Sequence, residues 1–158
     1  MIEIVSFKSE YAKAFKELNI AWLKKYFHVE PKDSLLLENC QEYIIDQGGY
    51  IFIALANKEP VGCFSFIPMS NNIYELGKMA VQHNFQGQKI GQQLMIFAIN
   101  FAKRHKWKSI MLYSSTKLPA ALHVYKKHGF KLIELEKDLP YVRSDIKMEL
   151  NLIKIEKK

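Results

Sequence analysis

The spacing of apolar residues along this chain switches between the two-residue period of a strand and the three-to-four-residue period of a helix. Residues 1–7 alternate weakly and predict a first strand. The segment 11–26 repeats aromatic and aliphatic residues at helical spacing, which predicts an amphipathic helix. A polar stretch with a proline at 28–34 predicts a loop. A second helical segment after this loop is expected to end at Gly48 and Gly49, because glycine readily forms a left-handed cap.

Three apolar runs rich in strand-forming residues follow, at 50–56, 61–67 and 74–81. Turn-forming sequences lie between them at 57–60 and 70–72. Because short turns join neighbouring antiparallel strands, these three runs predict an antiparallel meander.

The third run does not alternate cleanly between apolar and polar positions. Regular alternation would place Glu75, Gly77, Met79 and Val81 on one face and Leu76, Lys78 and Ala80 on the other. Each face would then carry one charged residue. A glycine inside a strand often marks a bulge or the close approach of another backbone, and both are expected at Gly77.

A broad apolar helix is predicted between Ile90 and Ala102, followed by a strand at 108–113. The hydroxyls at 114–116 are expected to cap a further helix, which Gly129 closes. A strand, a helix and a strand in succession imply a right-handed crossover between parallel strands.

The last two apolar segments, 130–135 and 146–153, predict a terminal hairpin, and 154–158 is expected to be a solvated tail. Together with the meander and the crossover, these segments predict an α/β fold with a mixed sheet.

The composition is that of an ordinary globular chain. Its 158 residues are 49% hydrophobic and 25% charged, and they predict one domain spanning 1–158. No apolar run reaches the roughly 18 residues of a membrane span, and the N-terminus does not resemble a secretion signal. A cytoplasmic location without a membrane partner is therefore expected.

The two cysteines and the excess positive charge limit the kinds of site and of binding partner that the sequence predicts. Cys40 and Cys63 are isolated in sequence and are expected to be core thiols, so neither a disulfide framework nor a metal site is predicted. The formal charge of +7 favours anionic partners, either a phosphorylated cofactor or nucleic acid. The lysines are dispersed and no helix-turn-helix, zinc-finger or RNP pattern is present. No specific nucleic-acid partner is therefore expected, although a basic nucleic-acid-binding module remains the alternative.

A glycine-containing loop leads from the third strand of the meander directly into the following helix. Such a junction presents unpaired backbone N–H groups at the positive end of the helix, which favours binding of a phosphate. Gly87 and Gly91 fit neither the dinucleotide fingerprint nor the P-loop.

The hexapeptide Gln86–Gly91 resembles the pyrophosphate loop of the GNAT superfamily of acetyl-CoA-dependent N-acetyltransferases, with Lys89 where the family most often has a glycine. A second segment is similar to the family at Ala121, Tyr125, Gly129 and Phe130, whereas Leu118 replaces the usual asparagine. The resemblance implies a GNAT-like α/β fold with a mixed, mostly antiparallel sheet, a splayed parallel strand pair and flanking helices. It also implies acetyl-CoA as the acyl donor, and a homodimer.

The resemblance assigns the cofactor contacts to two segments and one side chain. The pantetheine arm would meet the backbone of the splayed strand, and the diphosphate would meet the loop. The residues implied are Met79, Ala80, Val81, Gln86, Gly87, Gln88, Lys89, Ile90, Gly91 and Tyr125.

Acetyl transfer to an amine needs a proton acceptor, stabilisation of the carbonyl oxygen and stabilisation of the departing thiolate. By resemblance, Tyr125 is the general acid, and the alternative is an aromatic residue that only fills the helix face. Glu75 is the candidate base and substrate contact, since some protein-lysine-acetylating members of the superfamily have glutamate there; the alternative is a solvated carboxylate. His83 and His123 are the fallback bases.

The acceptor site is less defined. Trp22, at the far end of the aromatic stripe, is the candidate substrate-binding residue, and core packing is its alternative role. Glu30 and Asp33 could meet a cationic substrate, but solvated surface carboxylates are expected. The acceptor is an amine on a small molecule or a protein. The leading function is N-acetyl transfer in a ternary complex, and the alternative is a non-catalytic acyl-CoA sensor.

Overall fold

Seven strands form one sheet in the computed structural model, which describes residues 2–139 and 141–153. The strands are β1 (Ile2–Ser6), β2 (Tyr50–Ala56), β3 (Glu59–Ser70), β4 (Ile73–Val81), β5 (Ser109–Ser114), β6 (Lys131–Ile133) and β7 (Ile146–Asn151). Their order across the sheet is β1-β2-β3-β4-β5-β7-β6, and only the β4–β5 pair is parallel. The predicted mixed α/β sheet, the meander and the terminal hairpin are confirmed. Met1 of the predicted first strand and the predicted tail at 154–158 lie outside the described residues.

The described residues contain four α-helices, which cover both faces of the sheet. They are α1 (Ala12–Tyr26), α2 (Pro31–Glu38), α3 (Ile90–Arg104) and α4 (Pro119–Lys127). Alternate residues of the central strands point to opposite faces and form two apolar cores. One core packs α3 against Phe64 and Phe66, and the other packs α1 and α2 against Ile51 and Ile53. Over the described residues, no helix is long and apolar enough to cross a membrane.

The predicted starts of two helices are wrong, because a proline begins each helix inside a polar stretch. The loop expected at 28–34 contains the start of α2, with Pro31 in the first turn, where its missing N–H is not needed. Likewise, α4 begins at Pro119, and no side-chain hydrogen bond caps it. The hydroxyl of Ser115 accepts instead from the Lys117 N–H, at 3.1 Å. The second helical segment, expected to end at Gly48 and Gly49, is interrupted after α2 and resumes as one π-helical turn, Gln41–Ile45. Gly48 beyond this turn has φ +90°, so the predicted left-handed glycine is confirmed.

A bulge interrupts β4 and changes the direction of its side chains. Ser65 of β3 pairs with Gly77, but Cys63 pairs with Ala80, so β4 contains one extra residue between these pairs. The predicted bulge is present, although its left-handed residue is Lys78, with φ +52°, and not Gly77. The predicted alternation is therefore wrong past the bulge. Met79 and Val81 pack on the α3 side, whereas Ala80 joins the core under α1 and α2.

The two parallel strands separate soon after they meet. Pairing between β4 and β5 covers only Ile73–Glu75 opposite Ser109–Met111. β5 instead pairs along its whole length with β7 on its other edge. Beyond Glu75, the edge of β4 that faces β5 is therefore left without a strand partner among the described residues.

Candidate active site

A cavity of about 690 Å³ opens where β4 and β5 separate. It extends from the C-terminal end of α1, across the bulge of β4, to the loop before α3 and one face of α4. The predicted site residues that line it are Trp22, Glu75, Met79, Val81, Gln86, Gly87, Lys89, Ile90, Gly91 and Tyr125. Gln88 is exposed on the loop, and the side chain of Ala80 lies in the core.

The unpaired edge of β4 presents backbone amides to this cavity. The Gln82 N–H donates to the Val61 carbonyl of β3 at 2.7 Å, and Ala80, two residues earlier and paired with Cys63, points its N–H toward β3 as well. Successive amides of a strand point in opposite directions, so the N–H groups of Met79 and Val81 point toward the gap. The geometry therefore favours Met79 and Val81 as donors to a bound ligand, and the predicted contact at Ala80 stays a prediction.

The loop before α3 also leaves backbone donors free for an anion. Gly87 has φ +87° and Lys89, at the N-cap position of α3, has φ +61°. No side-chain hydrogen bond caps the helix. A Cβ placed on Gly91 would meet nothing within 4 Å, so a ligand can approach the first turn closely. These features fit a diphosphate held by the amides of the first turn, with the Lys89 ammonium nearby.

Tyr125 projects from α4 to the same cavity and also packs beside Phe130, with ring centroids 5.9 Å apart. Both roles considered for Tyr125 thus have a structural basis, since it fills the helix face and lines the cleft. Burial raises the pKa of its hydroxyl to about 12. The phenol is therefore neutral across the physiological range and can donate a hydrogen bond into the cavity.

Glu75 is buried at the last paired position of β4, with 7% of its surface exposed. Its side chain points toward the α1 and α2 side, since its neighbour Leu76 packs in the core under α3 and its partner Ile67 packs against the other core. Burial raises the pKa of Glu75, against the opposing effect of the Lys32 and Lys78 charges. A raised pKa brings proton uptake by this carboxylate closer to neutral pH. The alternative of a solvated carboxylate does not fit this burial.

Aromatic rings from the end of α1 form another part of the cavity wall. The Trp22 ring lies 5.4 Å from that of Tyr26 and 5.8 Å from that of Phe27, measured between centroids. All three residues line the cavity, and Trp22 also packs against the core beneath α1. Aromatic faces of this kind suit an apolar stem or a cationic group.

A sequence model described as the acetyltransferase (GNAT) family matches residues 12–130. The chain belongs to the GNAT acetyltransferase family. No curated protein matches the sequence.

Solved GNAT structures share the fold over nearly the whole chain. An acetyltransferase of the GNAT family from Staphylococcus aureus Mu50 is 25% identical with a TM-score of 0.85, over 97% of this chain and 100% of that one. The PaiA N-acetyltransferase from Thermoplasma acidophilum, solved in complex with coenzyme A, is 19% identical with a TM-score of 0.76, over 96% and 99%. A chimera of the spermidine N-acetyltransferase SpeG from Vibrio cholerae and hSSAT is 18% identical with a TM-score of 0.75, over 96% and 95%.

This GNAT site also contains buried charges that the sequence did not reveal. Asp33 is fully buried on α2, and its carboxylate accepts from both terminal nitrogens of Arg143, at 2.7 and 2.8 Å. Glu30 accepts from Arg143 Nη1 at 3.1 Å and from the backbone N–H of Val142 at 2.8 Å. Lys78 is the second cation in contact with Asp33. The expectation that Glu30 and Asp33 are solvated surface carboxylates is therefore wrong.

The charges of this buried network fix the protonation of Asp33. Burial alone would raise its pKa, but the hydrogen bonds from Arg143 and the nearby ammonium of Lys78 outweigh burial and lower the pKa to about 2. Asp33 is thus ionised at any pH at which the protein is expected to work. One feature of the sequence pointed to the network, a lysine inside an apolar strand. Arg143 lies in a segment without periodic pattern, and nothing marked it in advance.

Proposed function

We propose that the protein is an N-acetyltransferase that moves the acetyl group of acetyl-CoA to a primary amine, by direct transfer in a ternary complex. The observation that carries the proposal is the placement of two sets of free backbone donors on one cavity. The open edge of β4 supplies the amides of Met79 and Val81, and the uncapped start of α3 supplies those around Gly91. This pairing suits a ligand with an amide-rich arm and a diphosphate.

Acetyl-CoA, when bound, supplies a thioester whose carbonyl carbon is open to attack by an amine. In this proposal the N–H of Met79, next to the bulge, donates to the carbonyl oxygen as negative charge develops on it. Tyr125 is assigned as the donor to the sulfur as the carbon–sulfur bond breaks. Because its pKa is about 12, Tyr125 carries its proton at the start of the reaction.

Glu75 accepts the proton that the ammonium of the acceptor must lose before its nitrogen can form the new carbon–nitrogen bond. Its raised pKa means that activity should rise with pH as Glu75 ionises, since only the carboxylate can take up the proton. Neither cysteine is placed for an acyl-enzyme route. Cys63 is fully buried and burial raises its pKa to about 12, so its reactive thiolate form is suppressed.

The acceptor is assigned as a primary amine of a small molecule or a protein. A buried carboxylate and aromatic rings that line the same cavity support this class, because both attract a cationic group. One structurally similar protein is a spermidine N-acetyltransferase by name, so polyamines belong in the first panel of acceptors.

The proposal is tested by separating binding from transfer. Acetyl-CoA should raise the melting temperature by mass action, by an amount equivalent to about 2.7 kcal/mol at a hundredfold excess over Kd, whereas NAD should not. Wild-type protein should then release free thiol from acetyl-CoA in the presence of an amine.

Tyr125→Phe and Glu75→Gln should each lower kcat by about a hundredfold or more while leaving the affinity for CoA nearly unchanged. Tyr43→Phe and Glu42→Gln, at exposed positions of the π-helical turn after α2, are the matched controls. They should leave both kcat and the affinity for CoA unchanged. Binding of acetyl-CoA without transfer to any amine would favour a sensor. Absence of binding would remove the proposal.

A further inference from the structure

A lysine at the bulge of β4 is unfavourable both for its backbone conformation and for the burial of its charge. Lys78 has φ +52°, in the left-handed region where a residue other than glycine costs roughly 1 kcal/mol. Its side chain is also only 7% exposed, so its ammonium has lost most of its water. Burial accordingly lowers the pKa of Lys78, while the Asp33 carboxylate opposes this effect. Both the backbone and the charge of this residue therefore need compensation from its surroundings.

The ammonium of Lys78 is held at a fixed point by groups from two other segments. Lys78 Nζ donates to Asp33 Oδ1 at 2.7 Å and to the Tyr141 hydroxyl oxygen at 2.8 Å. It also lies 4.4 Å from the centroid of the Tyr141 ring. Arg143 donates to the same Asp33 carboxylate through its two terminal nitrogens. Its guanidinium carbon lies 4.2 Å from the centroid of the Tyr141 ring. The end of the lysine side chain has little freedom, which restrains the backbone from which it starts.

These contacts join three walls of the proposed acceptor end of the cavity. Asp33 belongs to α2, Lys78 to the bulge of β4, and Tyr141 and Arg143 to the segment between β6 and β7. Lys78, Tyr141 and Arg143 all line the cavity, whereas Asp33 lies beneath it. Buried ion pairs generally add little stability compared with apolar residues of similar volume, because the charges must lose water. A role in fixing geometry accounts for the network better than a role in stability.

We propose that Lys78 is a positioning residue for acetyl transfer. Its ammonium, anchored by Asp33 and Tyr141, holds the bulge so that the adjacent Met79 N–H faces the acyl carbonyl. The same anchor keeps the acceptor wall formed by Tyr141, Arg143 and Ser144 in register with that amide. This inference depends on the proposed function, since it concerns the donor to the carbonyl oxygen. Lys78 does not itself take or give a proton.

Lys78→Gly is the decisive variant. It removes the ammonium but permits the left-handed backbone, so its folded state is not expected to be lost. Lys78→Met keeps the length of the side chain and removes only its charge, and Asp33→Asn weakens the anchor from the other side. Lys16→Met is the matched control, because it breaks an exposed ion pair of the same length, 2.7 Å to Glu38, between α1 and α2.

Three quantities are measured for each variant: the melting temperature, the kcat and KM values, and the carbonyl stretching band of bound acetyl-CoA labelled with ¹³C in its acetyl group. Lys78→Gly and Asp33→Asn should lower kcat at least tenfold, with KM and Kd for acetyl-CoA within about threefold of wild type. The labelled carbonyl band should move to higher frequency, as expected when the hydrogen bond from Met79 weakens. Lys16→Met should leave both kcat and the carbonyl band unchanged.

A purely structural role predicts a different result. If Lys78→Gly changes only the melting temperature, and kcat and the carbonyl band at a temperature well below unfolding match those of wild type, the inference is overturned. The infrared band tests the inference even if no amine in the panel is acetylated. Failure of wild-type protein to bind acetyl-CoA would instead remove the proposed function and the inference with it.

Discussion

Single residues of the loop before α3 show how a family pattern and backbone geometry meet. Lys89 stands where the resemblance led us to expect glycine, and its φ of +61° is the conformation that glycine adopts most easily. The sequence identified the loop from Gly87 and Gly91, whose open surroundings agree with its predicted use. It could not show that the departure at Lys89 is tolerated, because strain in one residue is offset by contacts that local sequence does not encode.

Lys89→Gly should therefore raise the free energy of unfolding slightly, by about 0.5 kcal/mol. Relief of left-handed strain, roughly 1 kcal/mol, slightly exceeds the added entropy of glycine in the unfolded chain. Urea unfolding measures the change. Lys103→Gly, within α3, is the control and should destabilise the protein by about 1 kcal/mol. A Lys89→Gly protein as unstable as this control would show that the Lys89 backbone is not strained.

At the scale of elements, β4 shows both the reach and the limit of reasoning from sequence. Glycine inside an irregular strand pointed to a bulge, but the period of the pattern did not say which residue would turn left-handed. One residue of difference reverses the faces of Met79, Ala80 and Val81, because side chains alternate along a strand. Meander, crossover and hairpin were predictable since each depends on neighbouring segments and turn composition. The first residues of α2 and α4 were not predictable, because in each helix a proline inside a polar stretch marks the start.

The open edge of β4 predicts different rates of hydrogen exchange for three adjacent backbone amides when a ligand binds. Hydrogen exchange of the Met79 and Val81 amides should slow when CoA is added, since a ligand in the gap would take their hydrogen bonds. The Ala80 amide faces β3, where Ala80 pairs with Cys63, so its exchange should change much less and serves as the internal control. Exchange measured by NMR resolves the three positions. Equal protection of all three would contradict the assigned edge.

At the scale of the whole molecule, the buried charges join segments that are far apart in the chain. Arg143 and Asp33 are separated by 110 residues, and no local pattern relates them. The sequence could predict neither their contact nor their burial, because a polar residue beside a loop looks the same whether it is solvated or paired. The fold brings them together only when α2, β4 and the segment before β7 pack around one point.

Because Asp33 must be ionised to keep its partners, this network should make the stability of the protein fall in acid. The folded-state pKa of Asp33 is about 2, below its ordinary value of 3.8, so its contribution is present above pH 4 and is lost as the pH falls toward 2. The difference corresponds to about 2 kcal/mol. Urea unfolding between pH 2 and pH 6 should show this slope in wild-type protein and a much smaller one in Asp33→Asn. Asp138→Asn, at an exposed site, should retain the slope of wild type.

The contacts of Lys78 with α2 and with the segment before β7 also constrain how such an enzyme can be diversified. Substrate preference in a family of this kind is an attractive target for recombining segments between homologues. Here a transplanted α2 that lacks Asp33, or a transplanted 141–145 that lacks Arg143, would leave the remaining ions stranded in a dry interior. Chimeras should therefore inherit Asp33, Lys78, Tyr141 and Arg143 together, as a single module.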